Sequence, residues 1–252
     1  MTDSIFLTRV VLRQYKSIAG CDVRLGPLTC LLGPNGSGKS NCVDALRLVR
    51  DALSDSLDNA LSRRGGGREV VNRRFLRHSL PYGPIPFGIR LEFILSDKRA
   101  GFYAFQVSPF KGVSGVLNEE CRIGTASGGG PFFQIQQGEV KGSSEDTFPR
   151  VTGDRLGLVA ASGLTAFRPV FNALTSMAFY DPEPKMMRSI QWPQNGQLLK
   201  SSDENIASVF RELERSDSES LRVIQEYLHS IVPMVQGVQH TQAGPAETLE
   251  FL

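Results

Sequence analysis

Gly33-Pro34-Asn35-Gly36-Ser37-Gly38-Lys39-Ser40 is the segment of this 252-residue chain whose residue types and spacing could do chemistry. It fits G-x-x-x-x-G-K-[ST], the phosphate-cradling P-loop. Gly33, Gly36 and Gly38 permit backbone angles and close approaches that side chains forbid, so successive N–H groups can turn toward a β-phosphate. Pro34, Asn35 and Ser37 complete the loop. Lys39 supplies a point charge between β- and γ-phosphates, and the Ser40 hydroxyl is placed to ligate Mg²⁺. A helix opening at Ser40 would aim its positive end at the same anion.

Such a loop works only between a strand and a helix, and the flanking residues supply that pattern. Leu28 to Leu32 is a short continuous apolar run of the buried-strand type, and Val49, Leu53, Leu57 and Leu61 predict one helix ridge ending at Gly65-Gly66-Gly67. Ile5 to Leu12 and Cys21 to Leu25 read as earlier strands. Residues 85–141 hold short strand-like runs (Ile89–Phe93, Phe102–Val107, Gly115–Leu117, Phe132–Ile135) split by Gly, Pro and Ser, which predict an antiparallel meander. Helices return near Asp154, and Ser216 with Glu219 predicts a capping box for a helix presenting Leu221, Ile224, Leu228 and Ile231 before Pro233. The expected fold is α/β: a P-loop nucleotide-binding lobe with its long helix (1–84), an antiparallel β subdomain (85–150) and a helical segment returning to the β core (151–252). The closing run Thr248-Leu249-Glu250-Phe251-Leu252 is apolar where a polar tail is usual, so the chain reads as cut.

Composition excludes several classes. With 40% hydrophobic and 21% charged residues the chain is globular, and its longest nearly apolar run, Leu156 to Phe167, is too short for a membrane helix. Without a basic-then-apolar amino terminus no secretory signal is read, and a cytoplasmic protein is expected. Cys21, Cys30, Cys42 and Cys121 form no C-x-x-C pair, and His78, His229 and His240 lack metal-ligand spacing; reduced thiols and no structural zinc are expected. Net charge is only +2, but Arg63, Arg64, Arg68, Arg73, Arg74 and Arg77 face a single acid, Glu69, within residues 63–78. This cluster is either a contact for nucleic-acid phosphates or a solvated helix end facing water or an acidic partner. Gln134, Gln136 and Gln137 fit an exposed strand face, and Glu119 and Glu120, without partners at a useful spacing, read as surface.

Leu12-Arg13-Gln14-Tyr15-Lys16-Ser17, then Gly26-Pro27-Leu28-Thr29, then the P-loop followed by Asn41, together resemble the ABC-type ATPase heads of the SMC and RecF group. Similarity is closest to compact AAA-type ATPases related to the OLD (overcoming lysogenization defect) proteins, with Arg64-Gly65-Gly66, the stretch Gly196 to Leu213 and Ile231-Val232-Pro233 also fitting. The resemblance implies ATP and Mg²⁺ as ligands. It further implies a homodimer or higher oligomer formed through the heads, a nuclease or other effector partner, and a role in DNA repair or anti-phage defence. It places Lys16 where related heads carry a basic residue near the phosphates, the other reading being an exposed turn lysine. Asn41 is a hallmark of the group, whose local alternative is backbone capping.

The resemblance also implies a serine-glycine signature and a Walker B run of apolar residues ending in Asp-Glu, and this sequence has neither. Met177-Ala178-Phe179-Tyr180-Asp181 imitates Walker B, but Pro182 stands where Glu is needed, so Asp181 is either a Mg²⁺ ligand or the start of a Pro-rich loop. The chain is expected to be the amino-terminal portion of a longer ATPase. The alternative is a non-hydrolysing, ATP-gated module that recruits a partner.

Overall fold

A computed structural model describes residues 6–72, 86–108, 115–124, 129–152, 155–201 and 203–252. They fall into two compact units, residues 1–177 and 178–252. No helix among the described residues is long and apolar enough to cross a membrane.

The first unit is built on a seven-stranded antiparallel sheet in the order β2-β1-β3-β4-β5-β6-β7. Its strands are β1 (Phe6–Tyr15), β2 (Ile18–Arg24), β3 (Phe87–Ile94), β4 (Ala100–Ser108), β5 (Gly115–Ile123), β6 (Phe132–Gln136) and β7 (Glu139–Ser143). The meander expected over 85–141 is therefore present, and it shares one ladder with β1 through the pairs Val10↔Leu91 and Leu12↔Ile89. Period-two alternation decides which face is dry: Val10, Leu12, Leu91, Phe93, Tyr103 and Ile123 all point into one core. Phe133 meets Phe167 edge-on at 5.2 Å within that core. Each such buried side chain contributes about 2 kcal/mol.

Against this core lies α1 (Lys39–Ser54), whose buried stripe Cys42, Ala45, Leu48, Val49, Ala52 and Leu53 has helical spacing. The ridge expected from Val49 to Leu61 is real in burial, but it belongs to two helices. The chain turns at Asp55, and Ser56 caps α2 (Leu57–Ser62) by accepting from the Asn59 N–H at 3.1 Å. Local capping outcompeted a continuous ridge here. Gly65 and Gly66, both at positive φ, end α2 and lead to the short α3 (Gly67–Val70).

Two further expectations fail in this unit. Leu28 to Leu32 forms no strand, and Leu28 and Leu32 are 86% and 92% exposed. An apolar run becomes a strand only when a neighbour completes its ladder, and none of the described strands pairs with it. Glu119, expected at the surface, is 2% exposed. The β5 register places it on the core side beside Cys121. There Oε2 accepts the Gly157 N–H at 2.5 Å, and Oε1 accepts the Leu158 N–H and the Tyr103 hydroxyl at 2.8 Å each. It thus ties β5 to the start of α4 (Gly157–Ala161), which α5 (Arg168–Thr175) follows. Asp154, near which helices were expected to return, lies outside the described residues.

The second unit contains α6 (Pro184–Met187), α7 (Ile206–Ser216), α8 (Ser218–Ile231) and a separate two-stranded sheet of β8 (Val238–Ala243) and β9 (Ala246–Phe251). The capping box expected from Ser216 is displaced by one residue. Ser216 closes α7, and Asp217 caps α8 by accepting from the Ser220 N–H at 3.1 Å. The Ser216 hydroxyl is turned back to the Glu212 carbonyl within α7, which leaves the cap to Asp217. The Gly196 to Leu213 stretch is organised by Asn205: its Oδ1 accepts the Lys200 N–H, while Nδ2 donates to the Asn195 and Leu198 carbonyls. A Cβ at Gly196 would collide with the Ser208 carbonyl on α7. Buried Glu247 holds the unit together, accepting from the Ser208 hydroxyl and Arg211 and lying 3.1 Å from His240 Nε2.

Candidate nucleotide-binding site

The P-loop connects Leu32 to α1 as an open turn. Gly36 and Gly38 adopt left-handed angles (φ 81° and 99°), which only glycine takes without strain, and Gly38 is itself the cap of α1. A Cβ at Gly38 would approach Ile18 Cγ1 to 3.0 Å, so this glycine also lets the loop pack on the β1–β2 turn. No acidic residue occupies the first turn of α1, and no side chain caps it. Its leading N–H groups keep their partial positive charge for an anion.

Lys39 folds back across the loop, its Nζ donating to the Gly33 and Pro34 carbonyls at 2.7 and 2.9 Å. That holds the ammonium at the loop's mouth. Ser40 is exposed in the first helical turn. The donor set fits a polyphosphate: a ring of backbone N–H groups, one flexible cation and one hydroxyl.

Asn41 does not cap its own backbone; its Nδ2 donates to the Ser17 hydroxyl at 2.7 Å and clips α1 to the β1–β2 turn. Lys16, in that turn at φ 47°, points to α1 and pairs with Asp44 at 2.5 Å. It is half-buried and ion-paired, which the exposed-turn alternative did not foresee.

Asp44 is the functional-site residue that sequence reasoning missed. It accepts the Tyr15 hydroxyl at 2.7 Å, the Lys16 ammonium, and Arg64 Nε at 3.1 Å; Arg64 Nη2 continues to Asp51 at 3.0 Å. Burial pushes the Asp44 carboxyl up, but Lys16, Tyr15 and Arg64 outweigh it and hold it below the usual range. Burial and the Asp44 charge push the Tyr15 hydroxyl far up, so it remains a donor. The network braces the P-loop helix from three directions, and a carboxylate one turn after Ser40 carries no signal by type alone. Arg64 reaches Asp44 and Asp51 because the turn at Asp55 lays α2 against α1 and Gly65 and Gly66, at positive φ, end α2 directly after it.

This corrects the reading of the arginine cluster. Arg64 has a side chain only 6% exposed and is committed to Asp44 and Asp51, so it is no nucleic-acid contact. Arg63 is 58% exposed and pairs with Asp55 at 2.6 Å, and Arg68 is exposed. Arg73, Arg74 and Arg77 lie outside the described residues. Asp181 sits in an irregular stretch of the second unit after α5, its N–H donating to the Ser201 carbonyl at 3.1 Å. Gln134 and Gln136 are exposed on β6, as alternation implies.

Residues 28–117, which take in the P-loop, α1 to α3, β3, β4 and the start of β5, match the family described as "AAA domain, putative AbiEii toxin, Type IV TA system". The DNA replication and repair protein RecF of Vibrio cholerae is 34% identical over 77 residues, 29% of this chain and 21% of that protein. RecF of Vibrio vulnificus is 41% identical over 83 residues, 31% of this chain and 23% of its own. Structural maintenance of chromosomes protein 4 of Mus musculus is 45% identical over 49 residues, 18% of this chain and 4% of its own. In these matched residues the P-loop lobe is similar to ATPase heads of the SMC/RecF type. The matched part of the chain spans about a fifth of the length of these RecF proteins. In this lobe Asp44 ties α1 to Tyr15, Lys16 and Arg64, directly behind the loop.

Proposed function

We propose that this chain binds ATP with Mg²⁺ at Gly33–Ser40 as the nucleotide-binding lobe of an SMC/RecF-type ATPase. The observation that carries the reading is the Lys39 ammonium, held on the Gly33 and Pro34 carbonyls at the mouth of a loop whose glycines take left-handed angles. On binding, Lys39 exchanges those carbonyls for β- and γ-phosphate oxygens, and the loop N–H groups close on the anion. Ser40 would hold the Mg²⁺, which offsets phosphate charge. Asn41 and Lys16 act beside them, Asn41 by fixing the β1–β2 turn and Lys16 by its charge next to the loop. Calorimetry with Mg-ATP tests this: micromolar binding lost in Lys39→Ala supports it, and equal binding by both proteins refutes it.

Hydrolysis belongs to the proposal only in part. The RecF name supports a place in DNA repair, and heads that dimerise around ATP are part of the proposal. An OLD-like, anti-phage setting in the cytoplasm with a nuclease or other effector partner is the finer form of this reading. No apolar run ending in Asp-Glu, the pattern that would supply a water-orienting carboxylate, occurs in these 252 residues. That favours the second reading, an ATP-gated module that recruits a partner without turnover, for the residues at hand. A chain extended to include such a run would hydrolyse ATP under the first reading and not under the second.

A further inference from the structure

The seven-stranded sheet has a second face, turned away from the core that α1 covers, and it is polar and concave. A groove of about 510 Å³ opens in its middle. The pairings Arg13↔Gly88, Gly88↔Gln106, Gln106↔Asn118 and Asn118↔Gln136 lay one row of side chains straight across five strands. In the adjacent row Arg90, Ala104 and Gln134 stand side by side with Glu120. Gly88 and Ala104 make a low floor; four amides and two arginines make the walls.

We propose that this groove is a binding site for a nucleotide unit, separate from the P-loop, with the base against the amide row and the phosphate toward Arg13. Asn118 Nδ2 donates to Gln106 Oε1 at 3.0 Å, which leaves the Gln106 amino group and the Asn118 carbonyl as an adjacent donor and acceptor. Such a pair matches the edge of a base, as bidentate amides do elsewhere. The Arg90 guanidinium lies 3.6 Å from the Phe102 ring centroid and Arg122 lies 5.0 Å from that of Phe132, so two flat Arg–Phe stacks border the groove. Arg13 has no carboxylate within ion-pair distance among the described residues, and it lies across β2 because Gly20 is bare: a Cβ there would come within 2.6 Å of Arg13 Nη1. It is the cation left for a phosphate.

Other occupants fit less well. The groove's central strands have no open ladder for strand addition by a peptide, which only the edges β2 and β7 could provide. Its size suits one or two nucleotide units. Free nucleotide and single-stranded nucleic acid present the same chemistry, and the test separates them.

The test uses the whole chain carrying Lys39→Ala, without Mg²⁺, so that the P-loop is silent. A labelled single strand of about eight nucleotides is titrated by anisotropy, and AMP and GMP are titrated by calorimetry. Binding is expected to persist in Lys39→Ala and to weaken about tenfold or more with Arg13→Ala and with the Gln106→Ala/Asn118→Ala pair, while the melting temperature stays unchanged. Binding of the oligonucleotide alone assigns the site to a single strand; binding of AMP or GMP assigns it to a free nucleotide. No binding of either up to about 1 mM, binding that vanishes in Lys39→Ala, or binding indifferent to the face variants overturns the proposal.

Discussion

At the residue scale, three side chains carry separable consequences. Lys39 touches only loop carbonyls, so Lys39→Ala should leave the melting temperature within a degree or two while weakening ATP binding by about a hundredfold, read by calorimetry. Arg64 is the opposite case. Its loss removes the guanidinium that Asp44 and Asp51 share and leaves each carboxylate with a single cation, Lys16 or Arg50, so Arg64→Ala should cost about 2 kcal/mol in urea unfolding, whereas exposed Arg63→Ala should cost less than about 1. Equal costs would contradict the assignment of Arg64 as a brace.

Glu119 adds a pH dependence. Burial raises its carboxyl from 4.5 to about 7, even though the Gly157 and Leu158 N–H groups and the Tyr103 hydroxyl favour the anion. The folded state therefore holds this proton more tightly than the unfolded state. Its contribution is full below about pH 4.5 and is lost as pH rises to about 7, by on the order of 3 kcal/mol before other groups are counted. Urea midpoints across that window should show this slope, and Glu119→Gln should remove it. The substitution also sets an amide N–H₂ against one of the two backbone N–H donors, the Gly157 N–H if Oε1 is kept for Leu158 and Tyr103, so the variant should start less stable at low pH; an unchanged slope would show that another group titrates.

At the element scale, the predictions concern where helices start and how closely they pack. Ser56→Ala removes the cap that separates α2 from α1 and should cost about 1 kcal/mol. Gly196→Ala forces the Ser208 carbonyl of α7 to move, with a cost of about 2 kcal/mol or more in chemical denaturation, while an alanine at Gly36, where nothing lies within 4 Å, meets only the penalty of its positive φ. A Gly196→Ala protein as stable as the parent would mean that α7 yields at no cost.

For the molecule as a whole, the proposed division of labour sets a limit on activity. Residues 1–252 should show no steady-state ATP hydrolysis above a Lys39→Ala control in a phosphate-release assay, since the sequence has the P-loop and no apolar run ending in Asp-Glu to orient water. Mg²⁺-dependent turnover that disappears in Lys39→Ala would redirect attention to Asp181 or to another carboxylate of this chain. Exposed Leu28 and Leu32, beside the loop, are apolar groups whose covering would order the strand side of the P-loop.

The P-loop, the amphipathic α1 and the meander were legible because each depends on neighbours close in sequence: glycine spacing, a 3.6-residue stripe, alternation within a strand. Residues whose role depends on a distant partner were not. Glu119 looked like a surface acid until the β5 register turned it toward the amides of α4, and Arg64 looked like part of a basic patch until the turn at Asp55 laid α2 along α1 and brought it to Asp44 and Asp51. Leu28 to Leu32 had a strand's composition and lacked a strand's neighbour. Sequence by itself determined which local conformations were accessible and where a phosphate could be held; tertiary structure decided which polar groups met, because burial and pairing are set by chain segments tens of residues apart.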